Sequence, residues 1–510
     1  MSQKTYKSVG VLGGGTAGFF AALILKKNRP DLQVTLIESD KIPVTGVGEA
    51  TTRIIIQFLH RDLGFELGEF FREVKPTWKQ GIKFEWGLPG DYYFNYPFGL
   101  HESYASYCKD GHLNNGSLQS MLMSADKSFL LRTGTNVRAI SSIASGNEYA
   151  YHLDNKKLIY FLRKKAKEFG VRLLNREVID TTLSENGEEI VALLDTDGEQ
   201  HSYDMYVDCS GFRSKLLEGV MKSAFVDYSS SLFTDRALVS TLNNGGHIKP
   251  YTTATTMNSG WMWNIPLRTE DHIGYVYSSS FCSDDEALKE LSEKEPTLSS
   301  TRTVRFRSGR HQHCWKGNVV GIGNSYGFVE PLESTGIQMI ISELKTILQH
   351  FPVHCNDEAS KKKINSHLNQ QWDHLRWFLA WHFHFNKKLQ TPFWEAYKNE
   401  ANVSGYQELL QVFREEGPLR KKQHFENQDL RSFLSDSLFR FNGFDNILLG
   451  QNELPNRPDE EYLQRNTEPL QRREIIWEEV TKRALEHKEA LEIVEEQPEL
   501  IEPYIHNDKK

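Results

Sequence analysis

Three short segments of this 510-residue sequence carry residue types whose spacing could do chemistry. The first is Gly13-Gly14-Gly15-Thr16-Ala17-Gly18. Glycines in a GxGxxG spacing allow a tight turn, close approach of the backbone to a pyrophosphate, and packing of a helix on a strand. The helix that opens there offers free N–H groups and its positive dipole end to phosphates. Glu38 follows twenty residues after Gly18, where a carboxylate can take ribose hydroxyls. The second segment is Gly260-Trp261-Met262-Trp263-Asn264-Ile265-Pro266. Its indoles, at i and i+2, share one face of a strand that the proline ends, and on spacing alone they read as core aromatics. The third is Glu330-Pro331-Leu332-Glu333-Ser334-Thr335-Gly336-Ile337, ahead of an apolar helix. There a hydroxyl of Ser334 or Thr335 could cap the helix, and a carboxylate suits its dipole.

The elements that must hold these segments follow from hydrophobic periodicity. Lys7–Leu12 reads as a buried strand, Phe19–Lys27 as a helix and Gln33–Ile37 as a second strand, a βαβ unit with parallel strands. From Ile42 to Thr52 the chain is rich in Gly, Pro, Val and Thr, which suits an ordered loop against a ligand. Asp154–Phe169 reads as a helix with Gly170 at its C-terminal cap. Val171–Leu174, Ile190–Leu194, Met205–Val207 and Asn318–Ile322 read as strands. Runs near Ala237–Leu242, Trp261–Leu267 and Ile273–Ser278 predict a sheet of mixed or antiparallel strands. A helix is expected from about Ser334, with Ile337, Ile340, Ile341, Leu344 and Leu348 on one side. Beyond Phe351 strand signals nearly vanish, and Glu468–Val494 reads as one charged amphipathic helix with a solvated face.

FAD and NAD share the first motif, but later segments separate them. Val207-Asp208-Cys209-Ser210-Gly211-Phe212-Arg213-Ser214 and Gly321-Ile322-Gly323-Asn324-Ser325 resemble parts of FAD-dependent monooxygenase-type folds, and no second complete GxGxxG suggests a resident NAD(P)H site. The tryptophan segment resembles the WxWxIP motif of flavin-dependent halogenases, the group called tryptophan halogenases. Thr77-Trp78-Lys79-Gln80-Gly81-Ile82-Lys83-Phe84, Gly46-Val47-Gly48-Glu49-Ala50-Thr51 and the segment around Glu333 resemble that family's other motifs, in family order. The resemblance runs to about Ile337 and continues more loosely through Thr391-Pro392-Phe393-Trp394.

The resemblance implies an α/β, FAD-dependent monooxygenase-type fold. A Rossmann-like nucleotide-binding module, a sheet layer over the flavin and a mainly helical C-terminal region would divide as residues 1–350 and 351–510. FAD, as FADH2 delivered by a separate reductase without a stable complex, would turn a halide into hypohalous acid. The cofactor would lie on Gly13, Gly15, Thr16, Ala17, Gly18, Glu38, Val47, Gly48, Glu49, Ala50, Gly323, Asn324, Gly336 and Ile337. Thr335 and Gly336 would bind the halide through backbone groups, and Trp261 and Trp263 would shield the flavin. Lys79 would take the oxidant, by hydrogen bonding or as a haloamine, and pass electrophilic halogen to an aromatic ring. Burial would favour its neutral amine. Glu333, with Glu330 as the alternative, would steady the cationic ring and accept its proton. Lys75 and Lys83 read as surface charges. Tyr93, Phe94, Tyr96, Phe98 and His101 are candidates for the substrate wall or for core.

Family members acting on free tryptophan carry a late cluster of tyrosines and a glutamate. The corresponding stretch here, Ser435–Gln451, has no match to it, so a simpler indole, a phenol or another electron-rich ring is at least as good a substrate. The rival functions are an aromatic hydroxylase and a non-catalytic flavin-binding protein. A net charge of -8 and a pI of about 6.2 disfavour nucleic acid. Five scattered cysteines without a CxxC pair fit neither a disulfide framework nor a metal site. With neither an N-terminal apolar segment nor a membrane-length run, the expectation is a soluble cytoplasmic enzyme, and a homodimer is the common default.

Overall fold

Residues 5–42, 48–99, 113–133, 140–143, 149–419, 437–456 and 460–501 are described by a computed structural model. The strand Ser8–Leu12, the helix Thr16–Asn28 and the strand Gln33–Glu38 form the expected βαβ unit, the two strands parallel with Val9 opposite Val34 and Val11 opposite Leu36. Two later segments add parallel strands beside the first, Met205–Asp208 and then Val319–Gly321. Arg172–Asn175 and Trp315–Lys316 complete a six-stranded sheet, only the last strand antiparallel. The C-terminal ends of strands widely separated in sequence therefore meet at one edge, which is where α/β sheets hold nucleotides. Asn155–Glu168 is a helix whose N-terminus Asp154 caps by accepting the N–H groups of Lys156 and Lys157, and Gly170, at φ 77°, turns the chain out of it.

A second, seven-stranded sheet runs in the order Arg302–Arg305, Arg236–Asn243, Glu270–Tyr277, Gly260–Pro266, Thr252–Met257, Gly81–Glu85 and Phe94–Pro97. All its neighbours are antiparallel except Thr252–Met257 with Gly81–Glu85. Strand alternation divides the side chains between two cores. Met262, Tyr275 and Tyr277 pack on one face with Ala287 and Leu291 of the helix Asp284–Lys294, while Trp261, Trp263 and Ile265 belong to the main core.

Past Phe351 helices dominate, among them Glu358–His384, Pro392–Glu400, Arg440–Gly450, Glu460–Arg483 and His487–Glu496. One core runs through both halves: the Trp372 indole donates to Glu343 Oε1 at 3.1 Å and the Trp86 indole to the His382 carbonyl at 2.9 Å. The stretch Glu468–Val494 is not the single solvated helix its charge pattern suggests. It breaks at Ala484–Glu486, a short strand paired with Lys127–Arg132, and the helix that follows buries His487, Ala490, Leu491 and Val494. Helical periodicity cannot register an edge strand that is short of partners and captures a passing segment. Among the described residues no helix is long and apolar enough to cross a membrane, and Cys209, Cys282, Cys314 and Cys355 are free thiols.

His487 ties this C-terminal segment to the strand Thr77–Lys79. Its Nδ1–H donates to the Ile248 carbonyl at 3.2 Å, its Nε2 accepts the Trp78 backbone N–H at 3.2 Å, and its ring stacks on the Trp78 indole. Both contacts require the neutral imidazole, and burial, the largest cause, pushes its pKa down to about 3. His487→Ala is expected to cost about 2–4 kcal/mol, from an orphaned buried N–H and a cavity, read as a lowered melting temperature. His487→Gln, which offers both an acceptor and a donor, should recover part of it.

Candidate active site

At the nucleotide end the glycines do different jobs. A Cβ on Gly18 would lie 1.8 Å from the Gly13 carbonyl oxygen, and one on Gly13, whose φ is 129°, would lie 2.2 Å from that of Cys209. These two positions let backbone meet backbone. A Cβ on Gly15, by contrast, would meet nothing within 4 Å, so the loop is open there. Two long helices begin without a side-chain cap, Thr16–Asn28 behind Gly15 and Gly336–Gln349 behind Thr335. Their first-turn N–H groups are left for anions. Gly336 is exposed and a Cβ there would also meet nothing within 4 Å. Ala17 touches the space next to Gly323, whose N–H donates to buried Glu343 at 2.7 Å, and Asn324 beside it is exposed.

Other expected cofactor residues have partners that the sequence does not reveal. Glu38 lies over Gly14 and pairs with Arg163 at 2.8 Å, and Thr16 donates to Asn155 at 3.0 Å. The Gly48 N–H donates to His272 Nδ1 at 2.7 Å, which ties the loop to the seven-stranded sheet. Next to it desolvation pushes Glu49 up to about 7. Ala50 pairs with His152, and Ile337 is buried in the first turn of its helix. Val47 and His101 lie outside the described residues. This donor set, with open backbone at Gly15 and Gly336 and two uncapped helix starts, fits an extended dinucleotide.

Lys79 ends a three-residue strand that pairs with Ala150–Leu153, after which Gln80 crosses to Pro250 and the chain enters the other sheet at Gly81. Gly81 permits the switch: a Cβ there would lie 2.3 Å from the Tyr96 carbonyl oxygen. The outcome is a lysine with no solvent exposure, whose Nζ donates to Ser334 Oγ at 2.7 Å and stands 5.5 Å from the Phe98 ring centre. Burial pulls its pKa down to about 7, against the opposing charge of Glu333. Lys75 and Lys83 are not the free surface charges expected. Both are half-buried, Lys75 paired with Glu495 and Lys83 4.0 Å over the Tyr93 ring. Their long stems lie along apolar surface while the charged ends find partners.

Ser334 takes φ 57°, a left-handed conformation that a serine adopts at a cost of roughly 1 kcal/mol or more. Neither it nor Thr335 caps the following helix; the strained turn instead gives the Ser334 hydroxyl to Lys79. Glu333 is buried and its Oε1 contacts His382 Nε2 at 2.6 Å, while His382 Nδ1 faces the Phe378 carbonyl at 2.8 Å. Glu330 has a different duty: its Oε2 accepts the Trp261 indole N–H at 2.7 Å, and burial pushes it up to about 8. Sequence reasoning missed His382. The one signal was a histidine among large apolar residues, Trp381-His382-Phe383, at a helix end, where a buried polar group needs a partner.

Trp261 and Trp263 are buried on one face with ring centres 6.0 Å apart, Trp263 covering Gly274. Of the aromatic wall candidates, Phe98 stands by Lys79, and Tyr96 is close enough to Glu333 for its phenol to be raised by that charge as well as by burial. Phe94 stacks on Phe84 at 5.0 Å and is core, and Tyr93 carries Lys83. The site thus joins a buried amine, a carboxylate and aromatic rings beside the uncapped start of the helix Gly336–Gln349.

With 8–466 matching the tryptophan halogenase family model, the chain belongs to that family and is a flavin-dependent halogenase. Tryptophan 7-halogenase RebH of Lentzea aerocolonigenes is 33% identical over 441 residues, 81% of this chain and 83% of RebH. Among solved structures, MibH, a lanthipeptide tryptophan 5-halogenase, is 40% identical with a TM-score of 0.91, over 99% of this chain and 96% of MibH. Xcc4156, a flavin-dependent halogenase from Xanthomonas campestris, is 27% identical with a TM-score of 0.84, over 96% of this chain and 98% of that one.

Proposed function

We propose that this enzyme transfers electrophilic halogen to an indole through Lys79. The buried amine, held near neutrality with its Nζ on Ser334 and the Glu333 carboxylate close by, is the observation that carries the reading. FAD would be held by the glycine loop, Glu38, Gly48–Ala50, Gly323–Asn324 and Gly336–Ile337. Bound as FADH2 from a separate reductase, it supplies hypohalous acid from oxygen and a halide. Backbone N–H groups at Thr335 and Gly336 would offer the halide a site at an uncapped helix start, and Trp261 and Trp263 would shield the flavin from the aromatic substrate.

The chain's own steps begin at Lys79. The neutral nitrogen bonds the halogen, the halogen–oxygen bond breaks, and the oxygen takes one proton from solvent and leaves as water. The ring then takes the halogen as the nitrogen–halogen electron pair returns to nitrogen, which restores the amine. Glu333 steadies the cationic ring and receives its proton, so halide oxidation and substitution meet only through a travelling oxidant.

The acceptor we infer is the indole of a tryptophan carried on a peptide, because MibH, whose name specifies a lanthipeptide tryptophan, resembles this chain along nearly its whole length. The test supplies FAD, a reductase, NADH, oxygen and chloride, bromide or iodide with free tryptophan, indole, phenols and tryptophan-containing peptides. Halogen isotope patterns on peptide indole are expected. Halide-independent hydroxylation, or no turnover, overturns the reading, and halogenation of free tryptophan alone overturns the peptide assignment.

The glycines give a separate test of where the cofactor lies. Gly15→Ala should leave the stability of the flavin-free protein within about 1 kcal/mol of the parent in a thermal melt, because its methyl meets no protein atom within 4 Å. FAD affinity, measured by fluorescence titration, should fall by about tenfold or more, since the methyl occupies the space for backbone approach to the pyrophosphate.

A further inference from the structure

We propose that His382 and Glu333 work as one proton-holding pair, His382 being the positioning residue that keeps Glu333 ready to accept the proton released from the halogenated ring. The inference rests on the assignment of Glu333 as proton acceptor. His382 is buried, with its ring 5.5 Å from that of Phe84 and 4.8 Å from that of Phe378. The Trp86 indole, donating to the His382 carbonyl at 2.9 Å, fixes the backbone at the same residue.

The proton count follows from the two ring nitrogens. Nδ1 stands 2.8 Å from a carbonyl oxygen, which only accepts, so Nδ1 carries a hydrogen. Nε2 stands 2.6 Å from Glu333 Oε1, and two bare lone pairs would repel at that separation, so a proton lies between them. With the proton on Nε2 the pair is carboxylate and imidazolium, neutral overall, and this form keeps Glu333 an acceptor through Oε2. A carboxylate buried alone would be driven to protonate and could then accept nothing. The imidazolium compensates that charge at Oε1, while Lys79 Nζ donates to Ser334 Oγ. Among the described residues, the Glu333 charge also acts on Lys79 and Tyr96.

Substitution makes the balance explicit. The carbon–hydrogen bond breaks, its electron pair restores the aromatic ring, and the proton goes to Glu333. The pair then holds one proton more than at rest and carries one positive charge. Releasing one returns it to its resting state and replaces the proton consumed when oxygen left the halogen as water. No outside oxidant or base is needed beyond the hypohalous acid already in the proposed reaction.

The test uses the full enzyme with FAD, reductase and the peptide that the wild type halogenates, its tryptophan either unlabelled or deuterated on the indole carbons. His382→Gln keeps an N–H for Glu333 but supplies no positive charge to keep it a carboxylate, and it should reduce kcat by about 10- to 100-fold. Ring-proton loss should become rate-limiting, so the deuterium isotope effect on kcat should rise from near 1 to about 2 or more. His382→Asn provides the same readout if the glutamine variant fails to fold or retain flavin. A wild-type isotope effect in a folded, slowed variant, or full activity in His382→Gln, overturns the pair. Absence of halogenation by the wild type is a distinct outcome that removes the Glu333 assignment on which the pair rests.

Discussion

Lys79→Ala is expected to lower halogenation by about a thousandfold or more while flavin binding and the melting temperature persist. The lysine is desolvated, and its charged form has a hydroxyl and a nearby carboxylate in place of water. Removing it therefore relieves a burial cost, and the isosteric Lys79→Met should be at least as stable as the parent. Product analysis by mass spectrometry, beside a thermal melt and a flavin titration, separates loss of chemistry from loss of fold. Retained halogenation with unchanged regiochemistry would end the assignment.

The same residue sets the sign of the pH dependence. Burial disfavours the ammonium form and brings the pKa down to about 7. Below that value the nitrogen holds a proton in its lone pair and cannot bond halogen; above it the amine is free. With reduced flavin and substrate saturating, kcat should rise with pH through about 7 and level off. Lys79→Arg, charged throughout, should show no such rise. A rate that falls across this range would instead mark the ammonium as a hydrogen-bond donor to the oxidant.

Glu333→Gln carries the second large effect, a fall in kcat of about a hundredfold with KM for the aromatic acceptor little changed. The amide keeps the shape but can neither hold the ring's positive charge nor take its proton. A second signature follows from the charge itself. Glu333 raises the Lys79 pKa against the effect of burial, so its neutralisation should move the rising limb of the remaining activity to lower pH. Glu330→Gln is the control: that carboxyl holds the Trp261 indole and is already pushed toward its protonated form, so the larger part of the activity should remain.

The βαβ unit was legible because each of its parts is local. A buried strand, a glycine turn and an apolar helix declare themselves within thirty residues, and Glu38 falls at the end of the next strand. The strand hosting Trp261 and Trp263 was equally local, and alternation placed both indoles on one face. Lys79 was a different case. Its neighbours in sequence are unremarkable, and a lysine usually lies at the surface, so its importance came through resemblance of a whole motif. Its burial, its lowered pKa and its hydroxyl partner 255 residues away are properties of the folded chain.

Local pattern failed where a residue's state depends on a distant partner. The charged segment Glu468–Val494 has helical spacing, yet Ala484–Glu486 pairs with a strand about 350 residues earlier and His487 supports the lysine strand. Ser334 looked like a helix cap and is instead held in a left-handed turn facing Lys79.

What the amino-acid order determined by itself was the cofactor module and the residue types available for chemistry, because short-range sterics and side-chain periodicity are written in consecutive positions. Only the tertiary structure decided the roles of the two glutamates, Glu330 on an indole and Glu333 on His382. The physical reason is that a carboxyl group's charge and proton depend on burial and on what lies within about 3 Å of its oxygens. Packing of elements far apart in the chain sets both.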